Sequence, residues 1–411
     1  MTIIGRDDMS RNSGFDRQST KDWRLETKLV RGGTLRSEFG ETAEAIFNTS
    51  GFVYDAAEVA EARFKGEAEG FTYSRLNNPT VAMFEERMRL IEGSEQARAT
   101  ATGMAAVTAA LLSQLRAGDH VVAATALFGS CRYLTDTLLP QFGISVTLVE
   151  GPDNAAWDKA VRDNTKAFFL ETPSNPTLNL VDLEYVCNVA KKAGASVVVD
   201  NVFASPLLQK PMEYGADIVV YSGTKHIDGQ GRVLGGCVLC SNAFFEKHLN
   251  QYMRHTGPAM SPFNAWVLLK GLETMELRVT RMCENAAKIA DFLSTQDALR
   301  NVLYPFRKDH PQYALARKQM KAGGSVVTFD VKGGRAEAFR LMNALRIIDI
   351  SNNLGDSKSL ITHPASTTHQ RLKPEDRESV GIREGTIRLS IGLENVDDLA
   401  EDLAQALKAI S

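Results

Sequence analysis

Long apolar runs are missing from this chain. No stretch approaches the about 18 uninterrupted apolar residues that a membrane-crossing helix needs, so none is expected to span a bilayer. The opening segment, Met1 to Lys21, mixes Arg, Asp, Ser and Asn and lacks the apolar stretch of a secretory signal; it is expected to be disordered. Cysteine is scarce, with Cys131, Cys187, Cys237, Cys240 and Cys283 the only five in 411 residues. A set so sparse and odd-numbered argues against a disulfide framework and for a reducing compartment, the cytoplasm. Charge of one sign is lacking too, because 47 Lys and Arg face 50 Asp and Glu for a net charge of −3. That balance gives no field to hold nucleic acid and no polybasic patch for a membrane surface.

What is present is an ordinary globular mixture, 44% hydrophobic and 24% charged, with no internal repeat. A chain of this length buries a large core without covalent staples, and its length suggests two or three domains. Cys237 and Cys240 form a C-x-x-C inside Gly-Gly-Cys-Val-Leu-Cys, which reads as an apolar strand. No second pair completes a zinc site, so they are taken as core cysteines and no metal is expected.

Residues 1–65 read as a tail and an extended arm. Regular patterning begins near residue 79, where Pro79 suits a helix start and Val81, Phe84, Met88 and Ile91 recur at helical spacing up to Gly93. Apolar runs at His120–Ala124, Val146–Val149, Ala167–Leu170, Val197–Val199, Ile218–Tyr221 and Val233–Leu239 then alternate with helical patterns such as Leu183–Ala193. β-branched strands alternating with helices predict an α/β fold, a mostly parallel central sheet with helices on both faces, over 66–260. Residues 261–411 read as a smaller C-terminal α+β domain. It would open with a long helix or helix pair at Phe263–Leu293, continue through strands near Ser325–Val331 and Ile387–Ile391, and close with a helix from Val396.

Three features carry chemistry. Tyr221-Ser222-Gly223-Thr224-Lys225-His226 puts a lysine and two hydroxyls directly after a buried strand. A desolvated lysine amine forms Schiff bases with carbonyls, although the same placement also fits a solvated strand end. Val197-Val198-Val199-Asp200 ends another buried strand in a carboxylate, 25 residues upstream. In pyridoxal phosphate enzymes such an Asp pairs with the ring nitrogen; elsewhere it is a common helix cap. Ala101-Thr102-Gly103-Met104-Ala105 opens an Ala-rich helix whose small residues let backbone amides approach a phosphate, or else serve tight packing. No G-x-G-x-x-G or G-K-[ST] accompanies it, which speaks against a dinucleotide or nucleoside triphosphate loop.

Taken with Glu171-Thr172-Pro173-Ser174-Asn175-Pro176, these segments resemble the signatures of the Cys/Met-metabolism pyridoxal phosphate enzymes, from about residue 28 to the C-terminus. The resemblance implies the aspartate-aminotransferase-like fold (fold type I) and pyridoxal 5′-phosphate as cofactor. It implies Lys225 as the catalytic, cofactor-carrying lysine and Asp200 as the ring-nitrogen partner. Gly103, Met104, Ser222 and Thr224 would hold the phosphate, Asn175 would lie near the phenolic oxygen, and Arg388 would clamp the substrate α-carboxylate with help from Asn353. Tyr73 and Arg75 match a segment that serves the neighbouring subunit's phosphate, which implies composite sites in a homotetramer, a dimer of dimers.

Two departures narrow the resemblance. Leu127-Phe128-Gly129 stands where many relatives have Leu-Tyr-Gly, so Phe128 can stack on the cofactor but has no hydroxyl. Ser351-Asn352-Asn353-Leu354-Gly355-Asp356 replaces a Ser-Leu-Gly-Gly version of its loop. With His255-Thr256-Gly257-Pro258-Ala259 and Ile361-Thr362-His363-Pro364-Ala365, these look closest to the branch that makes homocysteine from O-succinylhomoserine and sulfide by γ-replacement, a step of methionine biosynthesis. Cystathionine γ-synthase, O-acetylhomoserine sulfhydrylase and methionine γ-lyase remain the alternatives, as does a cofactor-free binding protein on the same fold. His363 follows an apolar run, fits a structural histidine equally well, and is assigned no catalytic role.

Overall fold

The structure is a computed structural model in which residues 22–410 are described; the opening segment expected to be disordered lies outside them. Seven strands build the larger sheet: β1 (Gln96–Thr100), β2 (His120–Ala124), β3 (Ser145–Val149), β4 (Thr165–Glu171), β5 (Ser196–Asp200), β6 (Ile218–Ser222) and β7 (Gly236–Cys240). Their spatial order is β1-β7-β6-β5-β4-β2-β3. Strands β2 to β6 pair in parallel, and β7 runs antiparallel to both β6 and β1. The central strands are buried along nearly their whole length, as the continuous β-branched runs of a covered parallel sheet require. Helices Pro79–Glu92, Gly103–Leu112 and Leu183–Ala193 pack on this sheet. The first is capped as its sequence suggests: the Asn78 side chain accepts from the Thr80 and Val81 amides, and Gly93 closes it at φ 88°.

A second sheet follows, with β8 (Leu299–Leu303), β9 (Val326–Val331), β10 (Asp349–Ile350), β11 (Leu360–Thr362) and β12 (Thr386–Ser390) in the order β10-β11-β12-β9-β8. It has its own apolar core, built on Phe329, Ile361, Ile387, Leu389 and Leu403. A helix pair, Pro262–Glu273 and Met275–Ser294, leads from the first sheet to the second.

Besides β8, β10 and β11 of the second sheet, which the sequence reading did not place, three details differ from it. β1 went unseen because Gln96 and Arg98 break its apolar pattern; Arg98 is spent on Glu85 and the Leu76 carbonyl. β7 starts later than Val233, at Gly236. The arm is not wholly extended, since Leu25–Arg31 and Ala57–Lys65 are short helices. The second of them buries no residue in this chain, so it shows no amphipathic stripe. Cys237 and Cys240 are buried in β7, and burial raises both thiols well above the usual range. Among the described residues no helix is long and apolar enough to cross a membrane.

Candidate active site

Parallel pairing aligns the carboxyl ends of β4, β5 and β6. Glu171 lies directly across from Asp200, and β6 next to them ends at Ser222. Ligands of open α/β sheets bind at this end. A cavity of about 220 Å³ lies there, walled by Gly103, Met104, Phe128, Glu171, Asn175, Asp200, Ser222, Thr224, Lys225, Asn352 and Arg388 among others. Most residues singled out from the sequence therefore share one cavity.

Lys225 is largely desolvated. Burial first, and then the positive charge of Arg388, lower its amine from 10.5 to about 8 against the opposing charge of Asp200. Its Nζ donates to Asn353 Oδ1 at 2.5 Å. The buried Asp200 carboxylate accepts from the Val202 amide at 3.1 Å. Burial pushes the Asp200 and Glu171 carboxyls up, and Glu171 rises further because Asp200 faces it. Two like charges this close resist joint ionisation.

At the start of helix Gly103–Leu112, Thr102 accepts from the Ala105 amide at 3.0 Å, and Thr102, Gly103 and Met104 line the cavity together with Ser222. A Cβ at Gly103 would sit 2.7 Å from Ser222 Cβ, so only glycine lets the helix start come this close. A helix N-terminus with two hydroxyls opposite is suited to a phosphate.

Arg388 enters from β12 of the second sheet and is fully buried. Its Nη1 donates to Asn175 Oδ1 at 3.1 Å, and its Nη2 donates to the carbonyls of Asn352 and Asn353 at 2.9 and 3.0 Å. Its Nε has no partner among the described residues. Burial lowers the guanidinium to about 10, with Glu171 opposing. An unpartnered donor on a buried cation is costly and marks where an anion is wanted.

Asn353 sits with both groups, its side chain on Lys225 and its carbonyl on Arg388. Tyr73 and Arg75 do not join them. Arg75 donates to the Arg254 carbonyl and stacks its guanidinium over the Tyr73 ring, 5.4 Å from the centroid, beside a separate small cavity. Tyr73 is exposed. His363 is held by Ser366 and the Glu384 carbonyl, as a structural histidine would be.

Sequence reasoning passed over Glu171, although it opens a quoted motif. Its two oxygens accept from the Phe128 amide at 2.8 Å and the Asn175 amide at 3.0 Å. One carboxylate thus fixes both the turn that presents Phe128 and the loop that presents Asn175. A strand-terminal acid was the available signal. Asn352 was also missed, because a backbone carbonyl's role leaves no mark on the side-chain type.

A desolvated amine, a buried carboxylate, a phosphate-suited helix start and an unpaired arginine around one cavity define an enzyme that uses a phosphorylated carbonyl cofactor on an α/β scaffold. Residues 26–408 match the family model of the Cys/Met metabolism PLP-dependent enzymes, and the chain belongs to that family. Its cofactor is pyridoxal 5′-phosphate, and the residues described fit that group. The chain is 54% identical to O-succinylhomoserine sulfhydrylase of Mycobacterium tuberculosis, over 92% of this chain and 94% of the relative. Identity to the Pseudomonas aeruginosa O-succinylhomoserine sulfhydrylase is 46%, over 94% and 96%. Among solved structures, a putative O-acetylhomoserine (thiol)-lyase from Campylobacter jejuni superposes with a TM-score of 0.90 at 32% identity, covering 94% of this chain and 100% of that one; it contains an N′-pyridoxyl-lysine monophosphate.

Proposed function

We propose that this enzyme replaces the succinyloxy group of O-succinylhomoserine with sulfide, giving homocysteine and succinate. The observation that carries the reading is the meeting of a desolvated lysine and an unsatisfied buried arginine in one cavity. Similarity to the two sulfhydrylases supports the choice of substrate.

When bound, pyridoxal phosphate supplies an electron sink that acidifies the carbon beside the substrate amine. Lys225 is the residue assigned to carry it. The Gly103 and Met104 amides with Ser222 and Thr224 would hold the phosphate, Phe128 would offer a stacking face, Asp200 would hold the proton of the ring nitrogen, and Asn175 would attend the phenolic oxygen. Arg388 and Asn353 orient the substrate α-carboxylate. The Lys225 amine, with a lowered affinity for protons, takes one from Cα and one from Cβ and returns both once the Cγ–S bond has formed. The Cγ–O bond breaks with its electron pair leaving on succinate, and hydrosulfide forms the Cγ–S bond. Product analysis with succinyl- and acetyl-homoserine, each with sulfide and with cysteine, tests this. Homocysteine from the succinyl ester and sulfide is expected as the main product. Cystathionine as the main product would make the enzyme a synthase instead.

Phe128 bears on the choice between replacement and elimination. It lacks the hydroxyl with which a tyrosine exchanges protons, and a general acid is worth roughly 10²–10⁴-fold. A poor leaving group such as a thiolate needs that help most, and succinate needs it least. Methionine cleavage is therefore expected to be weak. Phe128→Tyr is expected to raise the ratio of elimination to replacement by about tenfold or more, read as methanethiol release against homocysteine formation. Wild-type cleavage of methionine as fast as consumption of the ester would overturn both statements.

Tyr73 and Arg75 are assigned to the phosphate of an adjacent subunit in a homotetramer, a dimer of dimers. Their position outside their own chain's cavity supports this. Mixing inactive Arg75→Ala and Lys225→Ala subunits is expected to restore activity, since a hybrid dimer forms one intact composite site. No recovery in oligomers shown to be mixed would rule out sharing. The five free, buried cysteines support a reducing compartment such as the cytoplasm.

A further inference from the structure

Beside the cofactor cavity lies a second cavity of about 570 Å³, and the two share Phe128 and Asn352 in their walls. Its outer wall is the turn from Ser366 to Leu372, opposite the short helix that carries Tyr133. This turn is built into the fold. Thr367 Oγ1 pairs with Thr362 Oγ1 at 2.9 Å, and the Gln370 amide donates to the Thr367 carbonyl at 3.3 Å. A Cβ at Gly129 would meet the Thr368 carbonyl oxygen at 2.5 Å, so the turn presses directly on the one that presents Phe128. His369 in this turn is buried, and burial first and then Arg388 lower its ring from 6.5 to about 4.

The wall chemistry is one-sided. Hydroxyls and amides of Tyr133, Thr367 and Gln370 line it, no acidic residue is among the described residues that do, and Arg371 alone brings a charge. Arg371 is exposed and makes no ion pair or hydrogen bond among the described residues, whereas its near neighbour Arg377 is paired with Glu384. A planar guanidinium with no carboxylate of its own, in the wall of a cavity that adjoins the cofactor cavity, is suited to the carboxylate of a ligand. Resting on the function proposed above, we infer that this second cavity receives the acyl arm of the substrate ester and that Arg371 binds its distal carboxylate. A succinyl arm carries that second carboxylate. An acetyl arm ends before it, so Arg371 would set the preference between the two esters.

The test compares wild type, Arg371→Ala and Arg371→Lys with both homoserine esters and sulfide, alongside calorimetric titration of each protein with succinate. Arg371→Ala is expected to raise KM for the succinyl ester about 10- to 30-fold, as loss of one charge-assisted contact would, with kcat within about twofold. The acetyl ester, lacking the carboxylate, is expected to change by less than about twofold, and Arg371→Lys should fall between. Succinate affinity should drop by the same factor as the succinyl ester. Equal losses with both esters would indicate a structural role and overturn the assignment, as would no loss with the succinyl ester. If wild type turns over the acetyl ester but not the succinyl ester, the proposed function fails separately. The cavity assignment then rests on the titration: binding of succinate that depends on Arg371 upholds it, and binding that does not overturns it.

Discussion

Lys225→Ala is expected to abolish cofactor attachment and to lower turnover by more than about 10⁴-fold, beyond an ordinary general base, because one amine both carries the cofactor and moves the protons. The variant should remain folded, since among the described residues the side chain's one hydrogen bond is to Asn353 and its burial disfavours its charge. Borohydride reduction of wild type followed by peptide mapping should place the adduct on Lys225; an adduct on another lysine would overturn the assignment. A pH signature accompanies this. Only the neutral amine attacks a carbonyl, and burial together with Arg388 brings the Lys225 amine from 10.5 to about 8. Protein stripped of cofactor should therefore retake it faster as the pH rises through about 8, then level off. Uptake that keeps climbing toward 10.5 would mean that the amine is not desolvated.

Sequence patterns exposed one half of this site and hid the other. Val197–Asp200 and Ile218–Ser222 were readable because a strand covered on both faces must be apolar at every position, so a carboxylate or lysine at its end stands out. The same logic failed for Gln96–Thr100, where Arg98 finds its partners outside the strand. Glu171 acquires its role from strand register, which brings it across from Asp200 and within reach of two loop amides. Arg388 was visible only through family resemblance. It lies 213 residues from Asn175, and nothing in Thr386-Ile387-Arg388-Leu389-Ser390 tells that the arginine points inward. Arg371 is harder still, because an exposed arginine without partners looks like solvated surface until the neighbouring cavity is seen.

Arg388→Met is expected to lower kcat/KM by roughly 10²–10³, mostly through KM. Charge-assisted hydrogen bonds contribute about 1.5–3 kcal/mol each, so losing a bidentate clamp on a buried carboxylate costs about 3–4 kcal/mol, and each 1.36 kcal/mol is about tenfold. Methionine keeps an unbranched apolar stem but frees the Asn352 and Asn353 carbonyls that Nη2 now satisfies, so a small loss of thermal stability should accompany it. Arg388→Lys keeps the charge without the planar fork and should be intermediate. A second readout separates the clamp from mere packing. Arg388 is a like charge that helps hold the Lys225 amine down, so its removal should move the midpoint of cofactor uptake upward from about 8. Burial, the larger cause, persists, and the midpoint should stay below 10.5. With lysine at 388 the charge remains and the midpoint should hardly move. A downward shift in Arg388→Met, or a loss of kcat/KM below about tenfold, would show that Arg388 does not face both the substrate carboxylate and the reactive amine.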